Sequence, residues 1–333
     1  MEMIRTFYEE KFSGLLAAGI IAIAAVFLSN HYGAPTMLFA LLLGIALNFL
    51  SEHERCMQGI DLAAKNILRI GVALLGLRIS FDAVTGLGLG PIILVIVGVI
   101  LTMGLGLLLS KFMKFDSSFG CLTGGAVAIC GASAAMALSS VLPQGPDQER
   151  DTIFTVITVT AFSTIAMVVY PIIASFLGLN DQQTGIFLGG TIHDVAQVVG
   201  AGYSVSDHAG DVSTIVKLVR VAMLLPVVLC VMMIVRSRLK PDAKSHKKLP
   251  FPWFVLGFVA LVSLNSTVAI PSEIAGFFID MSKWCIVTAV AALGMKTSFA
   301  ALVKVGIMPV AVILVETVFL AGLSLIALYM FPM

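Results

Sequence analysis

Long apolar runs alternate with short polar stretches along the whole chain. Most of these runs are about 17 to 25 residues long, enough for a helix to cross about 30 Å of hydrocarbon. Apolar residues follow one another without the alternation of a barrel strand, so the pattern predicts membrane-spanning helices and excludes a closed β-barrel. The eleven predicted spans are residues 13–29, 34–50, 65–81, 89–110, 118–140, 152–178, 185–205, 212–236, 251–266, 283–299 and 304–331.

Composition supports a membrane protein. Of the 333 residues, 59% are hydrophobic and 12% are charged, against about 45–50% and about 25% in ordinary soluble domains. The net charge of +1 says nothing about nucleic acid, but no basic stripe interleaved with aromatic residues is present, so no nucleic-acid partner is predicted. The predicted partners are the lipid bilayer and a small solute, and a homo-oligomer is compatible with the sequence.

The distribution of basic residues predicts the orientation. Residues 236–248 hold six Lys/Arg, and the positive-inside rule places that segment in the cytoplasm. Alternation of the spans then leaves five basic residues on the outer side, namely Arg78, Arg150, Lys217, Arg220 and Lys283. We therefore predict a multi-pass protein of the bacterial inner membrane with a cytoplasmic N-terminus and a periplasmic C-terminus.

Short segments recur five spans apart and in the same order. The matching pairs are 42–48 with 188–194, 68–71 with 219–222, and 126–131 with 289–294. Because five is odd, the second half is inverted, which is typical of secondary transporters.

The repeats predict a single transmembrane transporter domain over residues 1–333. Residues 13–29 form an extra first span, 34–178 the first repeat and 185–331 the inverted second repeat. A competing match pairs 75–81 with 293–299, seven spans apart, but it leaves spans five to seven without partners. The five-plus-five arrangement is therefore preferred.

Span five is rich in glycine, which costs about 1 kcal/mol relative to alanine in a helix interior. The segment 120–134 includes Gly124, Gly125 and Gly131, and these favour a broken helix. The N-termini of half-helices present positive dipole ends to anions, and Thr123 and Ser133 add hydrogen-bond donors. Close packing of helices through small residues is the alternative interpretation.

Span seven carries ionisable residues near its centre. His193 and Asp194 lie well inside the apolar run, with Gln197 one turn further on. An ionisable group at the membrane midplane costs about 2.5–3.5 kcal/mol on insertion scales, which favours a functional site. A histidine beside a carboxylate suits proton exchange near neutral pH. The alternative is an interhelical hydrogen-bond network without a transport role.

Several basic residues lie close to or within predicted spans. Arg69 and Arg78 are nine residues apart, roughly 13 Å of helix, so at least one of them lies inside the membrane or extends far along it. Lys217 and Lys283 fit interfacial anchors best. Arg220, the repeat-mate of Arg69, fits an anchor and an interior position equally well.

Motifs for other chemistries are missing. A Walker A sequence is absent, which disfavours ATP-driven transport, and neither a metalloprotease motif nor a nucleophile elbow is present. The sequence therefore predicts a protein that is not an enzyme. It predicts no metal site and no cofactor apart from H⁺ or Na⁺ as a coupling ion.

The chain resembles the YeiH-type sulfate exporter family, whose functional name is itself provisional. This family is related to the superfamily of sodium/proton antiporters and bile-acid symporters. The resemblance covers essentially the whole chain and is carried by residues 74–78, 128–134, 192–199, 217–221 and 293–297. Asp194 stands where many relatives have Glu. The resemblance implies an inverted-repeat transporter with two crossing broken helices, here spans five and ten.

Taken together, these features predict a secondary active transporter that exports a small anion (sulfate, sulfite or an organosulfonate) coupled to H⁺ or Na⁺. Segments 126–133 and 289–297 are predicted to line the site, and His193 and Asp194 to carry coupling. The predicted substrate-binding residues are Arg78, Thr123, Gly124, Gly125, Ser133, Gln197, Arg220, Lys296 and Thr297. The alternatives are a cation/proton antiporter with Asp194 as ion ligand, an intramembrane enzyme, or a channel.

Overall fold

Every regular element of the structure is helical in the part of the chain that it describes. The computed structural model describes residues 11–143, 147–238, 253–268, 270–297 and 306–331, and the predicted all-α class is confirmed there. The helices in chain order are α1 (Phe12–Tyr32), α2 (Thr36–Ala46), α3 (Glu54–Leu62), α4 (Leu68–Leu74), α5 (Phe81–Gly86), α6 (Gly90–Phe112), α7 (Ser117–Ala128), α8 (Ala132–Ser139), α9 (Gln148–Phe176), α10 (Asp181–Thr191), α11 (Val195–Val205), α12 (Asp207–Ala222), α13 (Leu224–Arg238), α14 (Trp253–Thr267), α15 (Ser272–Lys296) and α16 (Ile307–Met330).

Six helices of the described chain are long and apolar enough to cross a membrane. They are Phe12–Tyr32, Gly90–Phe112, Gln148–Phe176, Asp207–Val235, Glu273–Lys296 and Ile307–Met330. The protein is therefore a membrane protein with multiple apolar helices. The other predicted spans coincide with shorter or interrupted helical segments, so a total of eleven crossings stays a prediction.

The chain divides into two compact units. Unit 1 comprises residues 1–87, 199–211 and 253–298, and unit 2 comprises residues 88–198, 212–252 and 299–333. Each unit takes segments from both of the predicted repeats, so the division does not follow the boundary between them.

In unit 1, α15 packs backbone to backbone against α2. A Cβ atom on Gly294 would lie 2.4 Å from the Leu41 carbonyl oxygen, and one on Gly44 would lie 2.3 Å from the Ala291 carbonyl oxygen. The helix α15 runs without interruption through Gly294. The predicted break in span ten is therefore wrong, because this glycine serves close helix packing.

In unit 2, two helical segments are broken instead. Residues 129–131 separate α7 from α8, and residues 192–194 separate α10 from α11. The predicted interruption of span five is present, but its broken companion in the same unit is span seven rather than span ten.

Candidate functional site

The first break turns on a glycine. Gly131 has φ +60° and ψ −123°, in the left-handed region that favours glycine. The Gly131 N–H donates to the Ala126 carbonyl at 2.8 Å, and the Ile129 N–H donates to the Gly125 carbonyl at 3.1 Å. Two of the last four carbonyl groups of α7 are satisfied in this way. The carbonyls of Val127 and Ala128 need other donors.

In the second break, a side chain caps the helix that follows. The Asp194 carboxylate accepts a hydrogen bond from the Ala196 N–H at 2.9 Å, and the Asp194 N–H donates to the Ser163 hydroxyl at 2.9 Å. A carboxylate in this position satisfies an otherwise free donor and complements the positive end of α11. Asp194 thus begins the second half of span seven.

Arg220 joins the C-terminal ends of both half-helices. Its side chain on α12 is 1% exposed. The guanidinium donates hydrogen bonds to the carbonyl oxygens of Val127 at 2.8 Å and Ala128 at 3.1 Å. It also donates to the carbonyl oxygens of Gly189 at 3.1 Å and Ile192 at 3.0 Å. A cation at helix C-termini is favourable because the carbonyl ends carry partial negative charge.

Lys217 lies one turn earlier on α12 and is fully buried. Its ammonium donates to the carbonyls of Ile129 at 2.8 Å, Ile192 at 3.0 Å and His193 at 2.5 Å. These bonds use all three donors of the ammonium group. Lys217 was expected to be an interfacial anchor, and that expectation is wrong because backbone groups of the two breaks surround it.

Charge is only partly balanced around the breaks. Neither Lys217 nor Arg220 forms a salt bridge with a carboxylate of the described chain. Asp194 is the carboxylate whose charge acts on Lys217, and it is only partly buried. When all three groups are ionised, two cations and one carboxylate leave one net positive charge.

His193 connects the second break to the first and to α16. Its Nδ1 lies 3.2 Å from the Val127 carbonyl oxygen and its Nε2 lies 3.1 Å from the Thr317 hydroxyl. A carbonyl can only accept, so Nδ1 carries a proton. In the neutral ring, Nε2 then accepts from Thr317.

A second buried carboxyl group lies on α16. Glu316 is 0% exposed, and its Oε1 accepts a hydrogen bond from the Thr123 hydroxyl at 2.8 Å. Gln197 is also fully buried, and its amide donates to the Thr164 hydroxyl at 2.8 Å. Within the described residues, Glu316 Oε2 and Gln197 Oε1 have no hydrogen-bond partner.

The two units separate the residues that the sequence assigned to substrate and coupling. Unit 2 contains Thr123, Gly124, Gly125, Ser133, His193, Asp194, Gln197 and Arg220. Unit 1 contains Arg78, Lys296 and Thr297. The structure therefore assembles only the first group around the helix breaks.

The predicted site residues of unit 1 have partners of their own. Arg78 lies 3.1 Å from Asp207 and 3.0 Å from Asp211, and Lys296 pairs with Asp61. These ion pairs are half-buried or exposed. Arg78 also borders a partly open cavity of about 350 Å³ in unit 1, which is lined by Tyr203, Asp207, Lys283, Trp284 and apolar side chains.

Not every glycine of span five belongs to the break. A Cβ atom on Gly120 would lie 2.3 Å from the Gly106 carbonyl oxygen, and one on Gly124 would lie 3.0 Å from Met103 Cα. Glycine at these positions lets the backbones of α6 and α7 pack in direct contact. Close packing therefore explains the first glycines of the run, and the break explains Gly131.

Sequence reasoning did not select Glu316, Thr317, Ser163 or Thr164. A signal for Glu316 was present, because it is an acidic residue at the centre of the apolar run 304–331, and the argument that selected Asp194 applies to it equally. The hydroxyl residues had no such signal, since their roles depend on contacts between distant spans.

Comparison with known proteins identifies the family. A family model described as conserved hypothetical protein 698 matches residues 13–313. A UPF0324 membrane protein of Chlorobaculum tepidum is 53% identical over 96% of this chain and 89% of its own length. The UPF0324 membrane protein TauZ of Paracoccus pantotrophus is 51% identical over 95% of this chain and 94% of its own length. No solved structure matches the chain. The chain therefore belongs to the conserved hypothetical protein 698 (UPF0324) family of membrane proteins, which is consistent with the resemblance to the YeiH-type family.

Proposed function

We propose that the protein is a secondary active transporter that moves a small anion across the bacterial inner membrane, coupled to H⁺ or Na⁺. The observation that carries this proposal is the pair of helix breaks held around Lys217 and Arg220 in unit 2. Export as the direction follows from the family resemblance alone.

Broken helices favour a transporter over a purely structural membrane protein. Each unsatisfied backbone group in hydrocarbon costs several kcal/mol, so irregular backbone at membrane depth occurs where it is buried in protein or lines a cavity. Discontinuous helices of this kind form the substrate and ion sites of secondary transporters. Two such breaks in one unit are difficult to explain by packing alone.

The sign of the charge favours an anion. The carbonyl groups of the breaks use all three donors of Lys217, so this cation attracts a solute through its field rather than by direct contact. Direct contacts then come from the N-terminal N–H groups of α8 and from Ser133, which is exposed on the first turn of that helix. One net positive charge suits a singly charged anion such as an organosulfonate better than the sulfate dianion.

The proposal includes eleven spans in an inverted five-plus-five arrangement, with the N-terminus inside and the C-terminus outside. Reporter fusions test it at Lys244 and Met333, both outside the described residues. Activity of a cytoplasmic reporter at Lys244 and of a periplasmic reporter at Met333 is expected. A cytoplasmic C-terminus would contradict the span count and the inversion together.

The direct test of function is transport by the purified protein in proteoliposomes. Methanesulfonate, sulfite, sulfate, a carboxylate and Na⁺ are offered in turn, with and without a pH gradient. Saturable movement of an anion is expected, with methanesulfonate preferred over sulfate. Movement of Na⁺ alone would favour the cation/proton antiporter, and a current that does not saturate would favour a channel.

A further inference from the structure

The Glu316 carboxyl group occupies a tight space between α16, α6 and α7. A Cβ atom on Gly106 would lie 2.7 Å from Glu316 Oε1 and 2.4 Å from the Gly120 carbonyl oxygen. Glycine at this position of α6 therefore makes room for the carboxyl group. The Thr123 hydroxyl lies against the carboxyl group and donates a hydrogen bond to Oε1.

The surroundings of Glu316 do not compensate a negative charge. Within the described residues it forms no salt bridge, and Oε2 has no hydrogen-bond partner. An ionised carboxylate buried with a single hydrogen bond is very costly, and such a group binds a proton instead. These surroundings therefore favour the neutral acid form of Glu316 in this conformation.

The titratable groups of the neighbouring helices do not change this conclusion. Among the residues that the structure describes, no charged side chain acts on the Glu316 carboxyl group at close range. His193 reaches the same helix, since its Nε2 lies 3.1 Å from the hydroxyl of the adjacent Thr317. Asp116 directly precedes α7. The helices packed against α16 carry the titratable residues Lys111, Cys121, Glu149, Arg150, Asp151, Tyr170 and Asp181.

The position of Glu316 links it to both breaks. Through Thr123 it contacts α7, which ends at the first break, and the adjacent Thr317 contacts His193 in the second break. Loss of the proton leaves a charge that only a rearranged site can stabilise, by admitting water or a cation. The protonation of Glu316 and the conformation of the breaks are therefore coupled.

We infer that Glu316 is the group that carries the coupling proton. Its O–H bond forms while the site is open to one side of the membrane and breaks while it is open to the other. This inference rests on the proposed transporter function and names its coupling ion. Asp194, which caps α11, then has a positioning role, whereas the sequence assigned coupling to His193 and Asp194.

The first experiment compares exchange with gradient-driven accumulation in proteoliposomes. Glu316→Gln removes the titration but keeps a carbonyl oxygen for the Thr123 hydroxyl. Glu149→Gln, the same change at an exposed carboxylate of α9, is the matched control. The probe is radiolabelled methanesulfonate. Glu316→Gln should retain exchange without a gradient and lose pH-driven accumulation, so that the internal concentration of the probe no longer exceeds the external one. Glu316→Asp should retain part of the pH-driven accumulation, since the carboxyl group is kept.

Two outcomes of this experiment would overturn the inference. One is parental pH-driven accumulation by Glu316→Gln. The other is an equal loss of accumulation by Glu149→Gln, which would show that the effect is not specific to Glu316.

The second experiment does not depend on transport. Infrared difference spectra of the reconstituted protein should show the carbonyl stretching band of a protonated, buried carboxylic acid at neutral pH. The band should be absent from Glu316→Gln and present in Asp194→Asn, with both variants monodisperse in detergent. If the parent moves no anion, the transporter proposal fails while this spectrum still tests Glu316. A parent without the band overturns the inference.

Discussion

Basic side chains have different partners in the two units. In unit 1, Arg78 and Lys296 pair with carboxylates and keep part of their surface exposed. In unit 2, Lys217 and Arg220 are buried and bind backbone carbonyl groups instead. Exposed ion pairs contribute about 0–1 kcal/mol. Carbonyl groups that lose a buried donor cost about 1–3 kcal/mol each, so the cations of unit 2 should matter more for the fold.

The largest effect is expected for Arg220→Met. The change leaves the carbonyls of Ala128 and Gly189 without their side-chain donor, at about 1–3 kcal/mol each. We expect a steep fall in the unfolding temperature of the purified protein in detergent, measured by intrinsic fluorescence. Arg78→Met is the control in unit 1 and should lower the unfolding temperature much less. Equal unfolding temperatures for the two variants would remove the contrast between the units.

A moderate effect is expected for Gly131→Ala. An L-residue in the left-handed region costs about 1–2 kcal/mol, although a Cβ atom there would meet its nearest neighbour, His193 Cβ, at an ordinary 3.4 Å. The strain should lower the unfolding temperature by a few degrees and reduce transport. Gly19→Ala, in α1 with open space around it, is the matched control and should be neutral or stabilising by up to about 1 kcal/mol. If both variants behave alike, the break does not depend on the conformation of Gly131.

The smallest effect is expected for Lys296→Met. Lys296 pairs with Asp61, and both side chains are partly exposed, so the loss should be about 1 kcal/mol or less. The unfolding temperature should stay within a few degrees of the parent and vary little with salt. Lys296 was also predicted to bind substrate, and unchanged transport by this variant would remove it from the site. Destabilisation as large as that of Arg220→Met would contradict the ranking.

The sequence predicted helical segments and the break in span five well, because apolar length and glycine content are local properties. It failed at span ten, since glycine that permits a break also permits close helix packing, and the contact of Gly294 with Leu41 depends on a distant span. The companion break in span seven had no glycine at its centre to indicate it.

Prediction of the site depended on where each helix begins. Span eight was predicted to start at residue 212, which placed Lys217 near the interface. The helix begins at Asp207, so Lys217 lies roughly 15 Å along it and inside the unit. His193 was selected as an interior candidate by the cost of burying an ionisable group, and it is buried. For Arg220 the sequence left an anchor and an interior position equally open, and this residue is buried too. The roles of Thr123 and Thr317 depend on contacts that a single sequence does not contain.

The guanidinium of Arg220 has a mechanical consequence for the proposed transport cycle. One planar, rigid group holds two carbonyls of α7 together with those of Gly189 and Ile192. If one break moved alone, the guanidinium would lose two of these four carbonyl partners while it kept the other two. That loss would cost about 2–6 kcal/mol. We therefore expect half-moved states to be sparsely populated, so that the two breaks would move together in a single step.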